Sequence, residues 1–381
     1  MGAVTETNYI VAQGEYELRR FPRIARDQLR AWDAADELLL SQLADLLDLS
    51  DDAIAIVNDG FGALSVPLAT FSPVVINDSW VSQCGISSNL EDNGLNSQRV
   101  QMLDSLASPL HKFDLILVKV PKNLGYLEDQ LIRLKDAMNP GCTILLGGMI
   151  KHLPGTLWKL LEKILGPTET SLGVKKAKVI KVKYDPENPV KRSPYPTEFR
   201  LEGTELSLRN HSNVFSRDSL DIGARFFLQH LPVNKSAKQI VDLGCGNGVL
   251  GLMMAKTHID SELVFVDESY MAVESARLNF ETAYPNRGNA KFLVGDCLEK
   301  LPDQSADIIL CNPPFHQQTA VSDHTALVMF KDSRRVLANG GSLYVIGNRH
   351  LGYHVKLKRF FSNIQQIAAN KKFVILRCNQ G

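Results

Sequence analysis

Residues 238–251, KQIVDLGCGNGVLG, constrain the backbone more tightly than any other stretch of the chain. Ile240, Val241 and Leu243 read as a short buried strand, and Gly244, Gly246 and Gly248 then break it. Glycines at alternate positions let the chain turn sharply and let a bound group approach the backbone without meeting Cβ atoms. Val249, Leu250, Leu252 and Met253 start the apolar face of a following helix. A strand, a glycine-rich turn and a helix make a nucleotide-type pocket. Here the strand ends in Asp242 and the glycines fall as D-x-G-x-G-x-G, not as the G-x-G-x-x-G of a dinucleotide fold. That spacing suits an adenosine and amino-acid ligand better than a pyrophosphate.

The same order of elements occurs twice. In the second half IVDLGCGNGVLGLMMA is followed by LVFVDES, ESARLNF, ADIILCNPPF, the helix-like VMFKDSRRVL and the strand SLYVIGN. In the first half DDAIAIVNDGFGALSVPLA gives a strand over residues 53–57, a turn with Gly60 and Gly62, and a helix-like continuation. VVINDSW, FDLILVKVPK, the amphipathic LEDQLIRLKDAM and CTILLGGM follow in the same sequence. Strands alternating with helices predict an α/β fold, a parallel-type sheet with helices on both faces. The match predicts two such domains in tandem, by duplication. The first copy has VND for VDL, one fewer glycine and KVPK where the second has NPPF. It reads as a degenerate copy that kept the fold and lost the chemistry. The expected boundaries are 1–183 for the first domain, 184–200 for a linker carrying four prolines, and 201–381 for the second. Before the glycine turn, VFSRDSLDIGARFFLQHL predicts a helix whose start Asp218 or Ser219 can cap.

Composition bounds the rest. A chain of 381 residues with 44% hydrophobic and 22% charged residues is long enough for two cores. No apolar run reaches the length of a membrane helix, and the first twenty residues lack a basic-then-apolar signal pattern, so a cytoplasmic protein with no membrane partner is expected. Six cysteines without C-x-x-C pairs indicate neither zinc nor disulfides, and Cys245 and Cys311 are expected to pack as small hydrophobes. The formal net charge of zero hides an asymmetry: residues 1–150 hold 11 Lys and Arg against 20 Asp and Glu, residues 151–200 hold 11 against 5, and the final 41 hold 7 against none. Solvated surface and a polyanion footprint both account for these basic flanks.

In a doubly wound sheet, ligands bind at the carboxyl ends of the strands. Asp242, Asp267, Asp296 and Asn312 each follow or end a candidate strand and are expected to face one crevice. Singly, an acid after a strand serves as readily as a turn former or helix cap. Asp267, 23 residues beyond Gly244, is placed to accept both hydroxyls of a ribose, and Asp296 in VGDCL to accept from an adenine amine. Asn312-Pro313-Pro314-Phe315 is the most specific stretch. Two prolines lock a rigid corner, so that the Asn312 side chain and a neighbouring carbonyl accept from a planar amino group while Phe315 stacks on its ring. His316 and Gln317 are either base or phosphate contacts or a solvated loop. Lys356, Lys358, Arg359, Lys371 and Lys372 are candidate phosphate contacts, or a solvated helix face and strand end.

VDLGCGNG, VDES and CNPPF together resemble class I S-adenosylmethionine-dependent methyltransferases acting on exocyclic amines. FSRDSLDIGARFFLQHLP, NPPFHQ and GNRHLGYHVKLKRFF narrow the likeness to the bacterial rRNA guanine-N(2) methyltransferases, nearest the branch acting on large-subunit RNA. The resemblance covers nearly the whole chain. It implies two Rossmann-like methyltransferase domains, the first degenerate and serving RNA binding or structure, with S-adenosyl-L-methionine as cofactor. It implies that Asp242, Gly244, Gly246 and Asp267 bind the cofactor, and that Asn312, Pro313 and Phe315 hold the guanine. The expected partner is large-subunit rRNA, protein-free or early in assembly; the expected enzyme is a monomer without a metal. Small-subunit rRNA remains an alternative substrate, because its branch shares the duplication and the NPPF. DNA adenine and protein glutamine, which NPPF-type sites also methylate, and a non-catalytic RNA-binding assembly factor remain as well.

Overall fold

The structure, a computed structural model, describes residues 6–24, 27–43, 53–189, 192–314 and 320–380, the side chains of 320–323 excepted. It divides into two compact units, Met1–Pro194 and Tyr195–Gly381. The second unit holds one seven-stranded sheet in the order Ala290–Val294, Glu262–Asp267, Gln239–Leu243, Ala306–Cys311, Leu337–Asn348, Phe373–Asn379, Asn363–Ala369. Only Phe373–Asn379 runs against the rest. Unbroken apolar runs such as Leu263–Val266 and Ile308–Cys311 are buried, as strands covered on both faces require. Gln239–Leu243 lies between them, so its carboxyl end opens at the centre of the sheet.

The first unit repeats this order with Gln101–Leu103, Val74–Ile76, Ile54–Val57, Phe113–Lys119, Met138–Met149, Ala177–Lys183 and Thr168–Thr170, and again only the sixth strand is reversed. The registers align the copies residue by residue. Leu243 faces Val266 and Cys311, and Val57 faces Ile76 and Val118. Asn77 therefore stands where the second copy has Asp267, and Lys119 where it has Asn312.

A buried asparagine repeats as well. Asn279, on the helix Tyr270–Ala283, accepts from the Arg209 amide (2.7 Å) and donates to the Arg209 and Asn247 carbonyls (both 3.0 Å). Asn89, on Trp80–Asp92, accepts from the Arg19 amide (3.0 Å) and donates to the carbonyls of Arg19 (2.8 Å) and Phe61 (2.6 Å). In each copy it ties the chain at the end of a β-hairpin, Thr197–Arg200 with Ser207–Asn210 or Asn8–Val11 with Gly14–Glu17, to the turn after the central strand. The strand Thr197–Arg200 lies inside the stretch read as linker.

Two local expectations change. The stretch after the first central strand forms turns and a 3₁₀ segment, Ala69–Phe71, with no α-helix corresponding to Val249–Thr257. Pro67 explains the difference, since it lacks the amide a helix interior needs and its ring clashes with the preceding turn. The helix Ile222–Leu228 is capped by Asp221, whose carboxylate accepts from the Ala224 amide at 3.0 Å, and not by Asp218 or Ser219.

Candidate functional site

Three left-handed glycines shape the turn, with φ of 70° at Gly244, 53° at Gly246 and 79° at Gly248. A Cβ at Gly248 would come within 2.8 Å of the Ala276 Cβ, and one at Gly251 within 2.2 Å of the Phe265 ring. The helix Val249–Thr257 is thus pressed onto its neighbours from its first turn. The amides of Gly244 and Cys245 both donate to the Val266 carbonyl, at 2.8 and 3.0 Å, which folds the turn across the end of the adjacent strand.

Asp267 ends that strand and faces the turn. Its Oδ2 accepts from the Gly246 amide at 2.9 Å and its Oδ1 from the Ser269 amide at 3.1 Å. Burial raises its pKa, and these amides oppose the rise. A carboxylate so held keeps acceptor capacity for two hydroxyls. Asp242 is placed differently from the expectation that it lines the crevice. It precedes the strand's last residue, is 2% exposed and lies beneath the turn, where its Oδ2 accepts from the Gly251 amide at 2.8 Å. Burial, helped by the charge of Asp267, pushes its pKa up to about 7. Asp296 stands two residues past Ala290–Val294 and is half-buried. Its amide donates to Glu299 Oε1 at 3.1 Å, and burial, with Glu299 and Asp332 nearby, raises its pKa.

Asn312 is the first residue beyond Ala306–Cys311, and its Oδ1 is buried with no hydrogen-bond partner among the described residues. Pro313 is buried beside it and Pro314 is exposed. Phe315, His316 and Gln317 lie outside the described residues. Asn348, which sequence reasoning does not single out, ends the neighbouring strand Leu337–Asn348, and its Oδ1, like Asp242 Oδ1, is buried without a partner among the described residues. Nor does the sequence single out Asn279, because nothing in the helical run ARLNFET marks it until the hairpin it ties is known. The thiols of Cys245 and Cys311 are buried and their pKa values pushed up by burial, which keeps them protonated.

In the first copy the same polar positions satisfy one another. Asn58, at φ 65°, replaces Gly244. The Asp59 carboxylate takes the amides of Gly62, Leu64 and Ser65 and the Ser65 hydroxyl, at 2.8–3.2 Å. Asn77 turns inward and donates to the Asp59 carbonyl at 2.6 Å. Lys119 pairs with Asp33 (2.7 Å) and Asp36 (2.8 Å). Gln130 bonds Asn58 at 2.9 Å, and Tyr126 bonds Ser105 at 2.7 Å. The degenerate crevice is chemically closed, whereas the second retains the Asp267 carboxylate and, among the described residues, an unused carbonyl oxygen on Asn312. Those groups fit a ligand with a diol, a polar ring edge and a charged tail. Among the described residues no cluster of His, Cys, Asp and Glu could hold a metal ion, and no helix is long and apolar enough to cross a membrane.

Residues 6–186 match the RLMG N-terminal domain, and residues 205–377 the methyltransferase small domain. A ribosomal RNA large subunit methyltransferase G of Aeromonas hydrophila is 47% identical over 364 residues, 94% of this chain and 96% of that protein. One from Streptomyces griseus is 45% identical over 378 residues, 97% of this chain and 98% of that protein. Among solved structures, the T. thermophilus 16S rRNA N2 methyltransferase RsmC in complex with AdoMet and guanosine shares the fold, with a TM-score of 0.77, 22% identity and 98% coverage of both chains.

Proposed function

Since the chain belongs to the ribosomal RNA large subunit methyltransferase G family, an S-adenosylmethionine-dependent rRNA methyltransferase family, we propose that it transfers a methyl group to the exocyclic N2 amine of a guanine in large-subunit rRNA. The Oδ1 of Asn312, buried and without a partner among the described residues, carries this reading, because an isolated acceptor at a strand end is costly unless a donor arrives to use it.

The cofactor supplies an electron-poor methyl group on a sulfonium centre. Gly244 and Gly246, without side chains, would let it approach the backbone closely, Asp267 would accept from its ribose, and Asp296 would meet its adenine edge. Asp242 acts through the turn, holding Gly251 in place from beneath. Asn312 and the Pro313 carbonyl accept from the two hydrogens of the guanine amine. That favours a pyramidal nitrogen whose lone pair is less delocalised into the ring, and it aims two dipoles at the positive charge that develops there. Phe315 stacks on the base, which must leave its helix to expose the amine. Holding both reactants in line is the main catalytic device, worth on the order of 7–11 kcal/mol in well-oriented systems. Lys356, Lys358, Arg359, Lys371 and Lys372 contact phosphates. The second domain carries the chemistry, the first assists RNA binding, and the enzyme works in the cytoplasm as a monomer on protein-free or early-assembly RNA.

The test is transfer of labelled methyl to protein-free large-subunit rRNA, small-subunit rRNA and assembled subunits. Label is expected as N2-methylguanine in the naked large-subunit RNA. Asn312→Ala is expected to lower kcat by about 10²–10³-fold, the loss typical of one preorganised electrostatic contact. Label in small-subunit RNA alone would contradict the assignment of substrate, and label in no RNA would contradict the activity.

A further inference from the structure

The two copies differ at the positions of Asp242, Gly244, Asp267 and Asn312 yet agree at one that has no part in the chemistry. Beyond the fifth strand of each sheet lies a two-residue hairpin tip, Lys175-Lys176 in the first copy and Lys371-Lys372 in the second. The tips share their register and two backbone hydrogen bonds. Met149 faces Ala177 as Asn348 faces Phe373. The Ile150 amide donates to the Lys176 carbonyl at 2.8 Å, as the Arg349 amide does to Lys372 at 3.0 Å. Val174 donates to Ala177 at 3.0 Å, as Asn370 does to Phe373 at 2.9 Å. Both tips sit at the carboxyl edge of their sheet, where the second copy has its crevice.

The backbones that present these lysines are not the same. Asn370 builds its turn with its own side chain, Oδ1 accepting from the Lys372 and Phe373 amides at 2.9 and 2.8 Å. The first copy has no such residue, and Lys175 and Lys176 themselves adopt left-handed φ of 46° and 65°. Two left-handed central residues make the hairpin turn that Asn-Gly occupies most readily, so two lysines there are strained. Local strain at an exposed tip points to a role for the side chains. What both copies keep is a pair of ammonium groups, not a turn geometry. The surroundings agree in sign: Lys151 follows Ile150, and burial with the charges of Lys151 and Lys122 lowers the pKa of His152. Among the described residues Glu37 lies 2.7 Å from the exposed Lys175 Nζ, an ion pair weak enough for a phosphate to displace, and Asp33 acts on His152 with the opposite sign to the lysines.

We propose that the Lys175-Lys176 tip of the degenerate domain is an RNA phosphate-binding site, the counterpart of Lys371-Lys372 in the catalytic domain. The proposal rests on the RNA substrate argued above and adds a contact surface in the half that lacks chemistry. Duplication then left each domain with its own grip on the backbone after only one retained a reaction.

The test compares the full-length protein with Lys175→Asn/Lys176→Gly and with Lys371→Gln/Lys372→Gln, measuring affinity for protein-free large-subunit rRNA across a salt series. Loss of two phosphate contacts lowers the slope of log affinity against log salt by about one to two in either variant. The first variant relieves the strained turn, so its Tm is expected to rise while its RNA affinity falls. That opposite movement excludes misfolding as the cause. An unchanged slope for the 175/176 variant beside a reduced one for 371/372 would overturn the proposal. So would an affinity for anionic lipid vesicles, and not for RNA, that depends on Lys175 and Lys176. Wild-type methyl transfer in the same preparation checks the underlying reading separately: no transfer and no binding would sink that reading, while transfer with an unchanged slope sinks only this inference.

Discussion

Asp242 and Asn312 both come from apolar strands at the middle of one sheet, and their surroundings give them opposite work. The Asp242 carboxyl has a pKa of about 7 in the folded chain, against about 3.9 for an unperturbed aspartate. The folded state therefore holds its proton more tightly. The stability this contributes is fully present below about pH 4 and is lost as pH rises through 7. Asp242→Asn keeps an acceptor for the Gly251 amide and carries no charge. Thermal melts across pH 4–8 are expected to show the variant level with the wild type in acid and ahead of it by on the order of 1–3 kcal/mol at pH 8. A constant difference across that range would mean that Asp242 does not titrate there. The identity of both residues was legible in the sequence, but their directions were not. Whether a strand-end side chain meets the crevice or the underside of the turn depends on a single step along the strand, and only the pairing of Leu243 with Val266 fixes that step. Asn348 escaped notice for a related reason: nothing near it in sequence shows that its carbonyl oxygen is left without a donor.

At the scale of elements, the succession of strands and helices along the chain was legible, and contacts between distant segments were not. Alternating apolar runs and turns sufficed to read the parallel strands about each central one and the degenerate state of the first copy, but not the reversed sixth strand and its edge partner in each sheet. The substitution of Lys119 for Asn312 was visible too, yet its partners Asp33 and Asp36 lie more than eighty residues earlier, on and before the helix Ala34–Ser41. Lys119 and Asp36 are largely buried, so each needs the other. Lys119→Met is expected to destabilise the protein by about 3–5 kcal/mol, because it leaves a buried carboxylate without its cation. Adding Asp36→Leu should restore most of the loss, and urea unfolding of the two variants measures both. A double variant no more stable than the single one would show that the methionine itself fits badly. Pro67 carries a milder lesson: it stood in plain view inside a helix-like run, and the chain obeys the proline.

For the molecule as a whole, the two crevices predict unequal ligand responses. Calorimetry with S-adenosylmethionine is expected to give one cofactor per chain, because Asn77, Asn58 and Lys119 have closed the first crevice. Two per chain would contradict that closure. At a hundredfold excess over Kd the cofactor should stabilise the domain that binds it by about 2.7 kcal/mol and leave the other unmoved. Differential scanning calorimetry would then show one transition shifting and one standing still. The inward-turned polar groups of the first domain have a further consequence for a growing cell. A protein whose every fold awaited a metabolite would soften whenever that metabolite ran short. Here half the chain completes its own polar contacts, and starvation for methyl donors can slow the enzyme without loosening that half.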